Sequence, residues 1–273
     1  MSLRHLRIAL LGAAVAATVT GCATTTSSTG RKQYVGAVSQ QQLDQLGAQA
    51  FDQTKAQKPL TQDGRQSAYV RCVVDAIAAQ LPDGQRRAWE EAVFVDKNPN
   101  AFALPGGKVG VYTGLFDVAK TQDQLAAVIG HEIGHVIERH HDERITRAYG
   151  AQAALTVAGM LAGSRYGDGA AQGVSQGGGV LLQTTFLLPG TRAQESEADI
   201  VGQRLMAQAG FDPRQAVDLW QNMIAATNGA RPPEWLSTHP DPRARIGELQ
   251  KRAEQLMPVY EQARVAGRKP RCG

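Results

Sequence analysis

The chain has 273 residues, with 29 Lys and Arg against 25 Asp and Glu, and 42% of its side chains are hydrophobic. Two of the basic residues, Arg4 and Arg7, belong to an N-terminal leader. The remainder is nearly charge-balanced, which excludes an electrostatic case for nucleic acid, and its length suits one domain with a sizeable core.

Arg4 and Arg7 precede an apolar, Ala-rich run from Ile8 to Val19 that has the length of a signal peptide and is short for a bilayer span. Val19-Thr20-Gly21-Cys22 follows, in the manner of a bacterial lipobox, with Cys22 as the lipidated residue and cleavage before it. An ordinary secretory signal with an incidental cysteine is the plainer alternative. Ala23, rather than Asp, after the cysteine points to the outer rather than the inner membrane under the lipoprotein sorting rule. Ala23 to Gly30, mostly Thr and Ser, reads as a flexible tether. The expected division is therefore residues 1–21 as signal, 22–34 as tether and 35–273 as the folded domain. No second membrane span is expected.

Ser39 to Gln57 and Asp63 to Gln80 read as amphipathic helices, the first capped by Ser39 and the second ending before Pro82. Glu91 to Asp96 reads as a strand. Asn100 to Leu104 and Lys108 to Thr113 are extended runs joined by Pro105-Gly106-Gly107, a hairpin signal. Thr121-Gln122-Asp123-Gln124 is a capping box opening a long helix that is expected to reach at least His140. Residues 151–190 hold Ala/Gly-rich apolar segments, read either as an apolar flap or as a loosely specified helical hairpin. Helices follow over Thr191 to Ala209, Pro213 to Asn228 and Pro242 to Met257, the last two opened by Asp-Pro pairs. The tail carrying Arg264, Arg268, Lys269 and Arg271 reads as a solvated end. With Cys22 used for the anchor, Cys72 and Cys272 remain and suggest one disulfide in an oxidising compartment, two unpaired thiols being the alternative.

The chemistry centres on His131-Glu132-Ile133-Gly134-His135. Residues four apart share a helix face, so His131 and His135 can meet one metal ion, and zinc takes such nitrogen ligands. Glu132 beside them is placed to take a proton from a metal-activated water. A third ligand is required. His141 has the spacing of the metzincin motif, but Glu138 stands where that motif needs Gly. If the helix continues, His141 lies about 9 Å further along the axis than His135 and misses the ion. His140 and His141 are then solvated or stand behind the ligands. The better candidate is Glu195, which shares a helix face with Asp199. Glu195 can ligate while Asp199 accepts a hydrogen bond from the distal nitrogen of a ligating histidine. Glu197 projects the other way and is expected in solvent.

Four blocks now stand in order. They are Asn100-Ala101-Phe102-Ala103-Leu104-Pro105-Gly106-Gly107 with Val111-Tyr112-Thr113-Gly114-Leu115; His131 to His135; Arg192-x-x-Glu195-x-x-Ala198-Asp199; and Thr238-His239-Pro240-Asp241-Pro242-x-x-Arg245-Ile246. Together they resemble the HtpX and CAAX-prenyl-protease family of zinc metallopeptidases, in particular its periplasmic lipoprotein members. The resemblance implies a mainly helical α+β, gluzincin-like domain with a small sheet, and one zinc ion on His131, His135 and Glu195. Arg192 and Asp199 would support the ligands. It further implies that Asn100, Ala101, Phe102 and Ala103 form an edge strand that receives substrate as an added strand. His239 would sit beside the metal, either as a donor to the reaction's oxyanion or as a ligand that keeps the site latent. The implied substrates are unfolded or misassembled envelope proteins, with outer-membrane assembly machinery as a further partner. The C-terminal repeats of some members have no counterpart after residue 257, so their partner-binding role is not carried over. A non-catalytic assembly factor with a structural zinc is the rival reading, and Glu132, superfluous in a structural site, speaks against it.

Overall fold

The computed structural model describes residues 23–166, 190–226, 239 and 242–273. The signal, Cys22, most of the 151–190 segment and the Asp241 cap lie outside them. Contacts group the chain into two compact units, Met1–Gln42 with His141–Phe186 and Leu43–His140 with Leu187–Gly273, where the sequence suggests one domain.

In the first unit, most of the 22–34 stretch expected as a tether lies in a hairpin. β1 (Ala23–Thr26) and β2 (Lys32–Val35) pair antiparallel. β-branched threonines favour extended backbone, and Gly30 takes φ 90 in the turn between them. Arg31 donates from both terminal nitrogens to Glu143, at 3.0 and 2.8 Å, and the Gly36 amide donates to Asp142. These bonds hold the hairpin to the first turn of α4 (His140–Tyr166).

The second unit carries the core. α1 (Gln40–Gln57) bears the Ser39 cap: the Gln42 amide donates to Ser39 Oγ and the Ser39 amide to Gln42 Oε1. α2 (Gly64–Ala78) turns Val70, Val73, Val74 and Ile77 fully inward. β3 (Glu90–Phe94), β4 (Ala101–Leu104) and β5 (Lys108–Tyr112) form a mixed sheet in the order β3-β5-β4, with β3–β5 parallel and β4–β5 antiparallel. Gly106 (φ 82) and Gly107 (φ 73) make the hairpin turn. α3 (Gln122–Ile137) is buried along nearly its whole length, with Leu125, Val128, Ile129 and Ile133 in the core. α5 (Arg192–Ala209) and α6 (Gln215–Ala225) pack on it, and α7 (Pro242–Val265) packs on α5 and α6. The result is the expected mainly helical α+β fold.

Two ends differ from expectation. α7 runs on through Pro258, with Ala253 and Ala263 buried on it. The tail is ordered: Gln122 donates to the Pro270 carbonyl and accepts from the Cys272 amide, and a disulfide joins Cys72 to Cys272 with their Cα atoms 5.4 Å apart. Among the described residues no helix is long and apolar enough to cross a membrane.

Candidate active site

Two capped helices carry the site. The Gln124 amide donates to Thr121 at the start of α3, and Gln124 Oε1 accepts from the Lys120 amide, one residue earlier than a regular capping box. Thr191 and Gln194 form the reciprocal box on α5. What brings the helices together is glycine. A Cβ on Gly202 would lie 2.6 Å from the His131 nitrogen, one on Gly130 2.9 Å from the Gly202 carbonyl oxygen, and one on Gly134 3.0 Å from that of Ala198. α3 and α5 therefore cross backbone to backbone, and His131, His135, Glu195 and Asp199 meet beside the crossing.

His131 Nε2 lies 3.1 Å from His135 Nε2 and 3.4 Å from Glu195 Oε2, and His135 Nε2 lies 3.5 Å from Glu195 Oε1. Ligands at about 2.0–2.1 Å on a tetrahedral ion stand about 3.3 Å apart, so these spacings suit one. Ligand atoms of His131, His135, Glu195 and His239 all lie within 4.8 Å of one another, and the four side chains are buried. Glu195 Oε1 is buried without a hydrogen-bond partner among the described residues. An orphaned carboxylate oxygen is costly, and a cation in the cluster would satisfy it. Gly190 makes room, since a Cβ there would lie 2.1 Å from that oxygen. The residues fit a metal ion.

The electrostatics agree. Burial and the Arg245 guanidinium press the His131 pKa down, but Asp199 and Glu195 outweigh them and lift it to about 9. The cluster attracts positive charge. Burial raises Asp199, yet Arg245 and His131 hold its carboxyl well below the usual range. Glu195 is likewise lowered against its burial, by His239, His131 and Arg245.

Asp199 Oδ1 stands 3.1 Å from His131 Nδ1, on the side of the ring away from the cluster. Arg192 is exposed on the first turn of α5. The guanidinium that braces the site is Arg245: it donates to both Asp199 oxygens, at 2.7 and 2.6 Å, and to Glu195 Oε2 at 3.0 Å, while stacking 4.1 Å from the Trp220 ring. The sequence places Arg245 in a motif without indicating this role. Buried carboxylates need a cationic partner, but the burial of Asp199 and Glu195 is not legible in the chain, so no sequence signal beyond the motif pointed to Arg245.

The segment after His135 departs from expectation. α3 does not continue to His140; it stops at Ile137, and Arg139 adopts φ 56, the left-handed conformation that ends helices. Glycine is usual there, but the break needs only that one residue pay the strain. His141, buried on α4, is outside the ligand cluster. His140 is fully buried and lies 2.7 Å, Nδ1 to Nδ1, from His135. Glu197 is buried too, not solvated, with Oε2 3.1 Å from His140 Nε2. Burying it is tolerable because the imidazole partners it.

Glu132 is buried, its Oε1 3.2 Å from His239 Nε2, and the His239 ring centre is 5.0 Å from that of His131. β4 packs on α3 and is outermost in its sheet. The Asn100 carbonyl accepts from the Tyr112 amide, Ala101 and Ala103 are buried, and Phe102 covers Gly110 and joins the rings of Phe51, Phe94 and Tyr112.

Comparison with known proteins agrees with this geometry. The chain is 40% identical over 170 residues to the mitochondrial metalloendopeptidase OMA1 of Schizosaccharomyces pombe, covering 59% of this chain and 46% of the relative. It is 29% identical over 225 residues to the beta-barrel assembly-enhancing protease of Escherichia coli K12, covering 80% and 45%. A putatively assigned counterpart from Vibrio cholerae is 36% identical over 170 residues, covering 60% and 34%. The chain thus spans half or less of the length of these relatives. Residues 64–253 match the pattern of peptidase family M48, and they include every residue of the ligand cluster. The chain belongs to peptidase family M48.

Proposed function

We propose that the chain is a zinc-dependent endopeptidase of the bacterial envelope, anchored through Cys22 to the outer membrane and acting on unfolded or misassembled envelope proteins. The observation that carries the activity is the convergence of four ligand atoms within 4.8 Å around an orphaned Glu195 oxygen, with Glu132 buried alongside. His131, His135 and Glu195 would hold the ion. Bound zinc supplies a Lewis acid that polarises a peptide carbonyl and acidifies water. Glu132 accepts the proton of the attacking water and returns it to the leaving amine. Asp199 keeps the His131 proton on Nδ1, so that Nε2 is free for the metal.

Substrate lies extended beside β4, whose outer place in the sheet and packing on α3 support that role. Recognition through backbone gives loose side-chain preference. The assembly-related name of the E. coli relative supports envelope substrates and a link to outer-membrane assembly. His239 is either donor or latent ligand: with metal retained, His239→Ala that cleaves less assigns the first, and one that cleaves more assigns the second.

The test is casein digestion by the mature chain with and without chelator, beside Glu132→Gln. Zinc-bound Glu132→Gln is expected to be inactive. Full cleavage by that variant would sink the mechanism, and a zinc-loaded parent that cleaves nothing would favour a non-catalytic assembly factor.

A further inference from the structure

His140 and Glu197 have no part in the reaction as proposed, yet they stand in line with it. His135 Nδ1 is 2.7 Å from His140 Nδ1, and His140 Nε2 is 3.1 Å from Glu197 Oε2. His135 turns its other nitrogen, Nε2, toward His131 Nε2 and Glu195 Oε1. A neutral imidazole that ligates through Nε2 carries its proton on Nδ1. The remaining protons then follow. His135 Nδ1–H donates to His140 Nδ1, and His140 Nε2–H donates to Glu197 Oε2. Both rings stay neutral, and the line ends on a carboxylate.

The backbone is shaped for this contact. On an unbroken helix, residue 140 would sit about 140° around the axis from residue 135, on another face. The left-handed Arg139 ends α3 and lets His140 fold back onto His135. A non-glycine residue in that region is strained, and the surrounding structure must offset the strain. His131 offers the parallel, with Nδ1 directly on Asp199. Each ligand histidine is therefore backed by a carboxylate of α5, His131 by Asp199 at one step and His135 by Glu197 at two.

We infer that His140 and Glu197 are positioning residues: a two-link tether that fixes the tautomer and ring orientation of His135 toward the metal. The inference rests on the metallopeptidase reading for the presence of the ion. Its test reads metal release rather than cleavage. The mature chain is loaded with zinc, and separately with Co2+ as a spectroscopic probe. His140→Leu removes the acceptor at similar volume, whereas His140→Asn offers Oδ1 where Nδ1 stood. Glu197→Gln retains packing and a weaker, neutral acceptor, and it decides the matter if His140→Leu does not fold.

Metal release to a chelator is expected to be about 10–100-fold faster in His140→Leu, the usual loss for a partner behind a ligand. A smaller increase is expected in Glu197→Gln, with altered Co2+ absorption bands in both and release near the parent rate in His140→Asn. Parent-like release and spectra in His140→Leu and Glu197→Gln overturn the tether. So does fast release that His140→Asn fails to slow, because the loss would then be one of packing. Casein cleavage on the same samples separates the two ideas: a parent that holds metal without cleaving sinks the peptidase reading, and the release rates still judge the tether.

Discussion

Replacing Gly202 with alanine would put a methyl carbon 2.6 Å from the His131 backbone nitrogen and 2.7 Å from the Gly130 carbonyl carbon, where ordinary contact begins at 3.4 Å. Both neighbours are backbone of a buried helix, so neither can swing aside. α5 must draw back from α3 by roughly 0.7–0.8 Å, because close-packed interiors transmit such a clash rather than absorb it. Glu195 rides on α5 and the two histidines proposed as ligands on α3, while metal–ligand distances tolerate only about ±0.2 Å. Overpacking costs about 1–3 kcal/mol, and Ala returns up to about 1 kcal/mol of helix propensity. Gly202→Ala is thus expected to lose a few degrees in Tm without metal, yet to bind zinc at least about tenfold more weakly. Competition with a zinc-binding dye and thermal melts in chelator measure the two effects. Gly247→Ala is the control: Gly247 is exposed on α7 with nothing within 4 Å of an added Cβ, so the change should be neutral or slightly stabilising. Parent-like zinc affinity in Gly202→Ala would refute the claim that helix approach sets the ligand geometry.

Glu195→Ala should strip the protein of zinc while His141→Ala leaves metal content unchanged; metal analysis showing the reverse would restore a metzincin-like ligand set. Zinc affinity should depend on pH through His131, which must be neutral to ligate and whose metal-free pKa is lifted from 6.5 to about 9. Apparent Kd should therefore rise about tenfold for each pH unit lowered below about 9, and a flat profile would contradict the charge balance described. The raised pKa also means that the metal-free protein gains stability from this proton below about 6.5 and loses it as pH rises through about 9, so melts in chelator should fall over that window. Arg245→Met should destabilise the metal-free protein by about 3–5 kcal/mol, because it leaves Asp199 and Glu195 buried without their cation; an unchanged melt would show those carboxylates to be protonated or hydrated instead. Non-reducing peptide mapping of protein from an oxidising compartment should recover one peptide pair joining Cys72 and Cys272, and two free thiols there would exclude that pairing.

The motif helix, its capping residues and the inward valines of α2 were legible from the chain because each depends on neighbours three or four residues away. The same holds for the shared face of Glu195 and Asp199, and for the hairpin around Gly106 and Gly107. Local periodicity reports which way a side chain points along its own element. It does not report where that element stops: Arg139 breaks α3 in a conformation that a sequence assigns to glycine, and only the surrounding packing holds it there. The hairpin of residues 23–35 escaped for a related reason, since Thr- and Ser-rich chain is ordered by a distant Glu143 and Asp142.

What the sequence by itself determined was the chemical inventory: two imidazoles one turn apart, a neighbouring carboxylate, and a later carboxylate pair. What only the tertiary structure decided was who stands behind them. Glu197 looks solvated by helical angle alone, but α5 is buried on more than one face, so that angle turns it toward His140 instead of water. Arg245, 50 residues from Glu195 in sequence, becomes its hydrogen-bond partner only through the packing of α7 on α5. Gly130, Gly134 and Gly202 are unremarkable as letters, and their meaning is a distance between two backbones that no single helix contains. Burial of charge is a property of several elements at once, so the partners that make it tolerable can be read only where those elements meet.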